Sequence, residues 1–199
     1  MKKALLIVDI QNDFCPGGAL AVPDGDKVIP PLNKMILYVQ KNDDWRIRTS
    51  RDWHPVDHCS FQEQAGPWPP HCVQNTPGAE FHPSFLLTAK VVIISKGIFK
   101  DKDEYSLFGG ICLRPDDWPL SANALLWGCD EVYIGGLAID YCVKATALDA
   151  VKLGFKTYLL TDACRAVNVK PGDDIRALSE MANAGVEFTH TEEVIRGIV

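Results

Sequence analysis

The segment Val132-Tyr133-Ile134-Gly135-Gly136-Leu137-Ala138-Ile139-Asp140-Tyr141-Cys142-Val143 decides how the rest of the chain is read. Val132, Tyr133 and Ile134 make a short apolar run of β-branched and aromatic residues, which predicts a buried strand. The paired glycines end that run. Apolar residues then recur at Val143, Ala147, Ala150 and Val151, the spacing of one helical face, with Asp140 placed to cap the helix. Cys142 thus falls in the first turn of a helix that leaves the carboxyl end of a strand. Unpaired backbone amides and the positive end of the helix dipole favour a thiolate there. A cysteine taken by itself is more often a small buried core residue. The strand–glycine–turn–helix setting favours a nucleophile.

The same alternation extends in both directions. Leu5 to Val8 is a continuous apolar run, the mark of a strand buried on both faces, and Asp9 stands at its end. Pro30-Pro31 opens a helix carrying Leu32, Met35, Ile36 and Val39. Trp45 to Ser50 reads as a second strand, followed by Asp52 and His54. Lys90 to Ser95 reads as a third, followed by Lys96-Gly97. Beyond a helix over Leu120 to Trp127 and the quoted strand, further strands are expected at Lys156–Thr161 and Val186–Thr189. A helix is expected at Asp173–Ala184 and a last helical turn at Thr191-Glu192-Glu193. This order predicts one α/β domain over residues 1–199, a Rossmann-like parallel sheet of about six strands with helices on both faces. In such sheets ligands bind outside the carboxyl ends of the strands. Asp9, Asp52, His54, Lys96 and Cys142 all fall at those ends. The stretch from Pro55 to Pro83 is rich in proline, glycine, histidine and aromatics. It is too long for a plain connection and is read as an ordered functional loop.

Composition narrows the function classes. The chain has 199 residues, 47% of them hydrophobic and 23% charged, ordinary values for a globular domain able to bury its own core. Its net charge of −6, with no basic block, argues against a nucleic-acid partner. The apolar run after Lys2-Lys3 is cut short by Asp9, too soon for a signal peptide, and no stretch approaches a membrane span. Seven cysteines, an odd number and without CxxC spacing, are expected to be reduced thiols of a cytoplasmic protein. No GxGxxG or P-loop pattern follows any strand, which weakens a nucleotide-binding reading.

Two constellations carry chemistry. Asp9, Lys96 and Cys142 form a nucleophile set: the carboxylate can take the thiol proton while the ammonium stabilises the thiolate. The plainer alternative is an Asp9–Lys96 ion pair at the sheet edge. The backbone amides of Ala138 and Cys142 are placed to face a developing oxyanion. Asp52-Trp53-His54 with His71 offers three mixed ligands, suited to one catalytic divalent ion: zinc first, iron or manganese as alternatives. His58, four residues after His54, is either a ligand or a solvated loop histidine, and the second reading is preferred.

Several motifs resemble those of the nicotinamidase/pyrazinamidase family of isochorismatase-like cysteine hydrolases. They are Val8-Asp9-Ile10-Gln11-Asn12-Asp13-Phe14, Asp52-Trp53-His54-Pro55, Trp68-Pro69-Pro70-His71-Cys72, Asn75-Thr76-Pro77-Gly78-Ala79, Ser95-Lys96-Gly97 and Gly136–Val143. They run in order from about Ala4 to Asp162. The resemblance implies a catalytic triad of Asp9, Lys96 and Cys142 and metal ligands Asp52, His54 and His71, with His58, Ser60 or Glu63 left open as a further protein ligand. It implies an aromatic sandwich of Phe14 and Trp68, with Leu20, Val22 and Tyr105 as further ring contacts, and a non-proline cis peptide before Ala138. It further implies hydrolysis of nicotinamide, and of pyrazinamide, in NAD salvage. The expected partner is this small amide alone, with no nucleic acid or membrane, and a homo-oligomer is left open. A metal-free cysteine amidohydrolase acting on another small amide is the alternative, but it gives Asp52, His54 and His71 no purpose. A non-catalytic binding protein on this fold would be expected to have lost a triad residue, and none is missing.

Overall fold

The computed structural model of the protein describes residues 1–113 and 119–199. Strand β1 (Lys2–Val8) is followed by helix α1 (Ile29–Val39), β2 (Trp45–Asp52) and β3 (Val91–Lys96). Then come β4 (Ile111–Cys112), β5 (Leu120–Ser121), the short α2 (Ala122–Leu125), β6 (Cys129–Leu137), α3 (Lys144–Lys152) and β7 (Lys156–Arg165). Helix α4 (Asp173–Ala184), β8 (Glu187–Thr189) and α5 (Thr191–Ile195) close the chain. Among the described residues the strands form one eight-stranded sheet in the order β5-β4-β3-β2-β1-β6-β7-β8. Six of them, β3-β2-β1-β6-β7-β8, run parallel, as the apolar runs predicted. The antiparallel pair β4 and β5 adds an edge that the sequence did not announce.

Alternation along β1 explains why both faces are covered. Leu5 and Ile7 join one core with Leu32, Met35, Ile36 and Val39 of α1, while Ala4, Leu6 and Val8 join the other with Ala147, Ala150, Ala177 and Met181 of α3 and α4. Each fully buried aliphatic side chain contributes roughly 1.5–3 kcal/mol. No helix among the described residues is long and apolar enough to cross a membrane.

Three expectations need correction. The glycines 135 and 136 do not end β6 but lie within it. Gly136 is required there: it has φ +132°, and a Cβ would sit 2.1 Å from the Val8 carbonyl oxygen of the paired strand. The helix expected over 120–127 is only the four residues of α2, preceded by a strand residue pair. Asp140 does not cap the helix after β6. That helix opens with a wide turn over Ile139–Val143 whose N-cap is Ala138, and the Asp140 carboxylate turns away to a different loop.

Candidate active site

The chain leaves β1 toward β2 and later returns to place β6 on the other flank, so the carboxyl ends of β1 and β6 open a crevice at a topological switch point. Asp9 follows β1, with φ +54° turning its side chain under the crevice. Asp52 and Lys96 are register partners at the ends of β2 and β3. Cys142 comes from the turn after β6. The four side chains meet, all buried.

Lys96 is the hub. Its ammonium lies 2.9 Å from Asp9 Oδ2, donates to Asp52 Oδ1 in a shorter contact, and lies 3.4 Å from Cys142 Sγ. Burial alone would pull its pKa down, but Asp52, Asp9 and Cys142 outweigh that and hold it well above the usual lysine value. The two carboxylates diverge. Burial pushes Asp9 up to about 6, with Lys96 opposing and Asp52 adding to the rise. Asp52 is equally buried, yet Lys96 and His54 overcome the desolvation and hold it below the ordinary carboxylate range. One carboxylate therefore stays ionised while its neighbour is poised to exchange a proton near neutrality. Ser50 Oγ donates to Asp9 Oδ1 at 2.7 Å and fixes its orientation.

The thiol departs from expectation. Burial raises the Cys142 pKa well above the ordinary value; Lys96 opposes this, and Asp9 and Asp52 reinforce it. The helix start was expected to favour a thiolate, but burial beside two carboxylates pushes the thiol the other way.

The other Asp52 oxygen belongs to a second group. His54 Nε2 lies 3.6 Å and His71 Nε2 4.0 Å from Asp52 Oδ2, and the donor atoms of the three residues lie within 4.8 Å of one another. Each imidazole turns its Nδ1 to a backbone carbonyl, His54 to Gly97 at 3.0 Å and His71 to Pro69 at 2.8 Å. With Nδ1–H donated, Nε2 presents a lone pair inward. One carboxylate oxygen and two such nitrogens, converging and buried, fit a divalent cation. Gln11 supports the set by accepting from the Asp52 amide at 2.7 Å and donating to the Asp52 carbonyl at 2.7 Å.

His58 is not solvated, and its ring faces away from a ligand's role. It is fully buried, stacked on His54 with ring centroids 4.1 Å apart. Its nitrogens are spent on Ser60 Oγ at 2.7 Å and the Lys102 carbonyl at 3.0 Å. Ser60 is thereby engaged as well, and Glu63 is exposed on a turn.

Above Cys142 opens a small cavity, lined by Phe14, Leu20, Val22, Trp68 and Tyr105 together with Asp52, His71 and Ala138. All five residues implied as ring contacts are there. Trp68 Nε1 donates to the Tyr105 hydroxyl at 3.0 Å, which fixes both rings. Leu137, Tyr141 and Val167 also line the cavity and were missed. Tyr141 was legible as the neighbour of Cys142, whereas nothing in the sequence marks Val167. The Leu137–Ala138 peptide is cis, as the resemblance implied. The Ala138 carbonyl accepts from the amides of Tyr141 and Val143, at 3.1 and 3.0 Å, which fixes the turn that carries the Cys142 amide.

A small, largely apolar cavity ending on a thiol, a carboxylate and an ammonium suits a hydrolase that works through a cysteine nucleophile. The isochorismatase domain model matches residues 3–193, and the chain belongs to the isochorismatase family. It is 42% identical over 202 residues to the nicotinamidase of Escherichia coli (strain K12), covering 92% of each chain. It is 38% identical over 189 residues to the nicotinamidase/pyrazinamidase of Mycobacterium tuberculosis (strain ATCC 25618 / H37Rv), covering 94% of this chain and 97% of that one. The crystal structure of the pyrazinamidase of Pyrococcus horikoshii in complex with zinc superposes with a TM-score of 0.85 at 47% identity, over 96% of this chain and 99% of that one.

Proposed function

We propose that the protein is a metal-dependent nicotinamidase, converting nicotinamide and water to nicotinate and ammonia, and that it also hydrolyses pyrazinamide. Its place would be NAD salvage in the cytoplasm. The observation that carries this reading is the Lys96 ammonium, in contact with Asp9, Asp52 and Cys142 at the floor of a small cavity lined by Phe14, Trp68 and Tyr105.

In this reading Cys142 Sγ attacks the carboxamide carbon as its proton passes to Asp9. Proton transfer and attack are coupled, and the Lys96 ammonium offsets the charge that develops on sulfur. The amides of Ala138 and Cys142 receive the tetrahedral oxyanion. Asp9 returns the proton to the departing nitrogen, ammonia leaves, and a thioester remains on Cys142. Asp9 then takes a proton from water, which attacks the thioester carbon. The second tetrahedral adduct collapses, nicotinate leaves and the thiol is restored. Phe14 and Trp68 hold the ring, with Leu20, Val22 and Tyr105 at its edges. A divalent cation held by Asp52, His54 and His71, zinc before iron or manganese, would supply a Lewis-acid anchor beside the ring.

The test is a coupled assay for ammonia release from nicotinamide and pyrazinamide, run with Cys142→Ala as control. Turnover is expected with the parent protein and a loss of at least about 10⁴-fold with the variant at unchanged melting temperature. Turnover surviving in Cys142→Ala would overturn the mechanism.

A further inference from the structure

We propose that Asp140 is a positioning residue that holds the Val167 wall of the cavity and so sets which ring edges the pocket accepts. Asp140 lies two residues before the thiol and is 6% exposed. Its carboxylate leaves its own turn and accepts two consecutive amides of the loop after β7: Val167 N–H on Oδ1 at 3.0 Å and Asn168 N–H on Oδ2 at 2.8 Å. A carboxylate that grips two neighbouring amides fixes the direction of the peptide between them. Val167, which lines the cavity together with the aromatic residues, stands on that peptide. Asn168 sits in the left-handed region, φ +53°, and its Oδ1 accepts the Asp174 amide at 3.0 Å in the first turn of α4. The wall is thus tied on one side to the nucleophile turn and on the other to a helix.

Two chemical consequences follow. Nicotinamide is flat, so each ring edge meets one wall, and a methyl group placed toward Val167 is excluded only while that wall stays put. The nucleophile turn and the wall also move as one body, so the distance from Cys142 to the far edge of the ring is preset. Asp140 makes these contacts through the loop rather than with the substrate, so its effect should be transmitted by Val167.

The substrate half of this inference rests on the proposed function; the wall itself does not. Two measurements on the full-length protein therefore serve, with Asp140→Ala, Asp140→Asn, Val167→Ala and the Asp140→Ala/Val167→Ala pair. The first is the rate of Cys142 alkylation by iodoacetamide and by the bulkier N-benzyl iodoacetamide, read by mass spectrometry. The second is kcat and KM for nicotinamide and its four ring-methylated forms. Asp140→Ala and Val167→Ala should each raise the bulky-to-small alkylation ratio by about tenfold, the effect of freeing space for one or two carbons. Both should improve relative kcat/KM for the same methyl position, and nicotinamide KM should rise more than kcat falls. The double variant should do no more than either single one. Asp140→Asn retains one acceptor and should fall between. If Asp140→Ala fails to fold, Asp140→Asn and Val167→Ala carry the comparison. A uniform loss for both reagents and every substrate, or effects that multiply in the double variant, would overturn the proposal. Absence of nicotinamide turnover in the parent, with the alkylation ratio shifted as expected, would instead overturn the substrate reading and leave the wall standing.

Discussion

Lys96 has one ammonium for two carboxylates, and this shortage of cation sets the chemistry of the floor. Asp52 takes the shorter contact and gains the two imidazoles as well, so it stays ionised; Asp9 is left with Lys96 and Ser50 against complete burial, which lifts it to about 6. For a general base the sign is direct: the ionised form works, so kcat/KM should fall as pH drops through the Asp9 pKa. Ser50 donates to the ionised form and lowers that pKa, so Ser50→Ala should move the acid limb upward. A hydrogen bond to a charged group contributes about 1.5–3 kcal/mol, enough for a shift of roughly one pH unit or more. Initial rates of ammonia release from pH 4.5 to 8 check this, and an acid limb that stays in place would remove Ser50 from the tuning of the base. The sequence disclosed these residues only as types at strand ends. Asp9, Lys96 and Cys142 were legible because an ionisable residue directly after an apolar run points at the ligand edge of a parallel sheet. The upward push that burial gives the Cys142 thiol was not, since desolvation depends on what the rest of the chain packs over Cys142.

Elements were readable in proportion to their length and apolar content. β1 and α1 carry continuous or periodic apolar runs and fall where expected, whereas β4 and β5 are two residues each and too short to show any period. Asp140 was misread for a related reason: capping is a local signature, and its carboxylate is spent on a partner 27 residues away. His58 was misread because a loop shows no periodicity from which burial can be inferred. The two glycines of β6 illustrate what the pattern did contain without revealing its cause. A Cβ on Gly136 would meet backbone atoms of Val8 at 2.1–2.8 Å, and these cannot move without parting β1 from β6. A Cβ on Gly135 would meet the end of the Leu32 side chain at 3.0 Å and Ala163 at 3.2 Å. Gly136→Ala should therefore cost about 3 kcal/mol or more, and Gly135→Ala distinctly less. Urea midpoints at constant m-value measure both. Equal costs would show that the β1–β6 contact is not the constraint at the switch point.

At the scale of the whole molecule, the nucleophile group and the candidate metal-binding group are one assembly, because Asp52 gives one oxygen to Lys96 and the other to the histidines. A change on one side is felt on the other, which bears on what the cation contributes. Under the proposed function, a cation held by Asp52, His54 and His71 would either activate water or orient the substrate, and these roles are separable. Orientation is expected to be the larger contribution. The thiol already supplies the first nucleophile and Asp9 can deprotonate the second, whereas the slot around Phe14 and Trp68 is apolar and needs one polar anchor to keep a flat ring from turning its carboxamide away from Cys142. Benzamide has the same outline and the same amide but no ring nitrogen. The zinc-loaded protein should turn over nicotinamide far faster than benzamide, and chelation should narrow that gap by slowing nicotinamide selectively, with little change in the alkylation rate of Cys142. If activation of water dominated, chelated protein would still be acylated and would then stall. Mass spectrometry of chelated protein mixed with nicotinamide separates the two outcomes. A stoichiometric acyl adduct on Cys142, together with comparable turnover of benzamide and nicotinamide by the loaded protein, would decide against orientation.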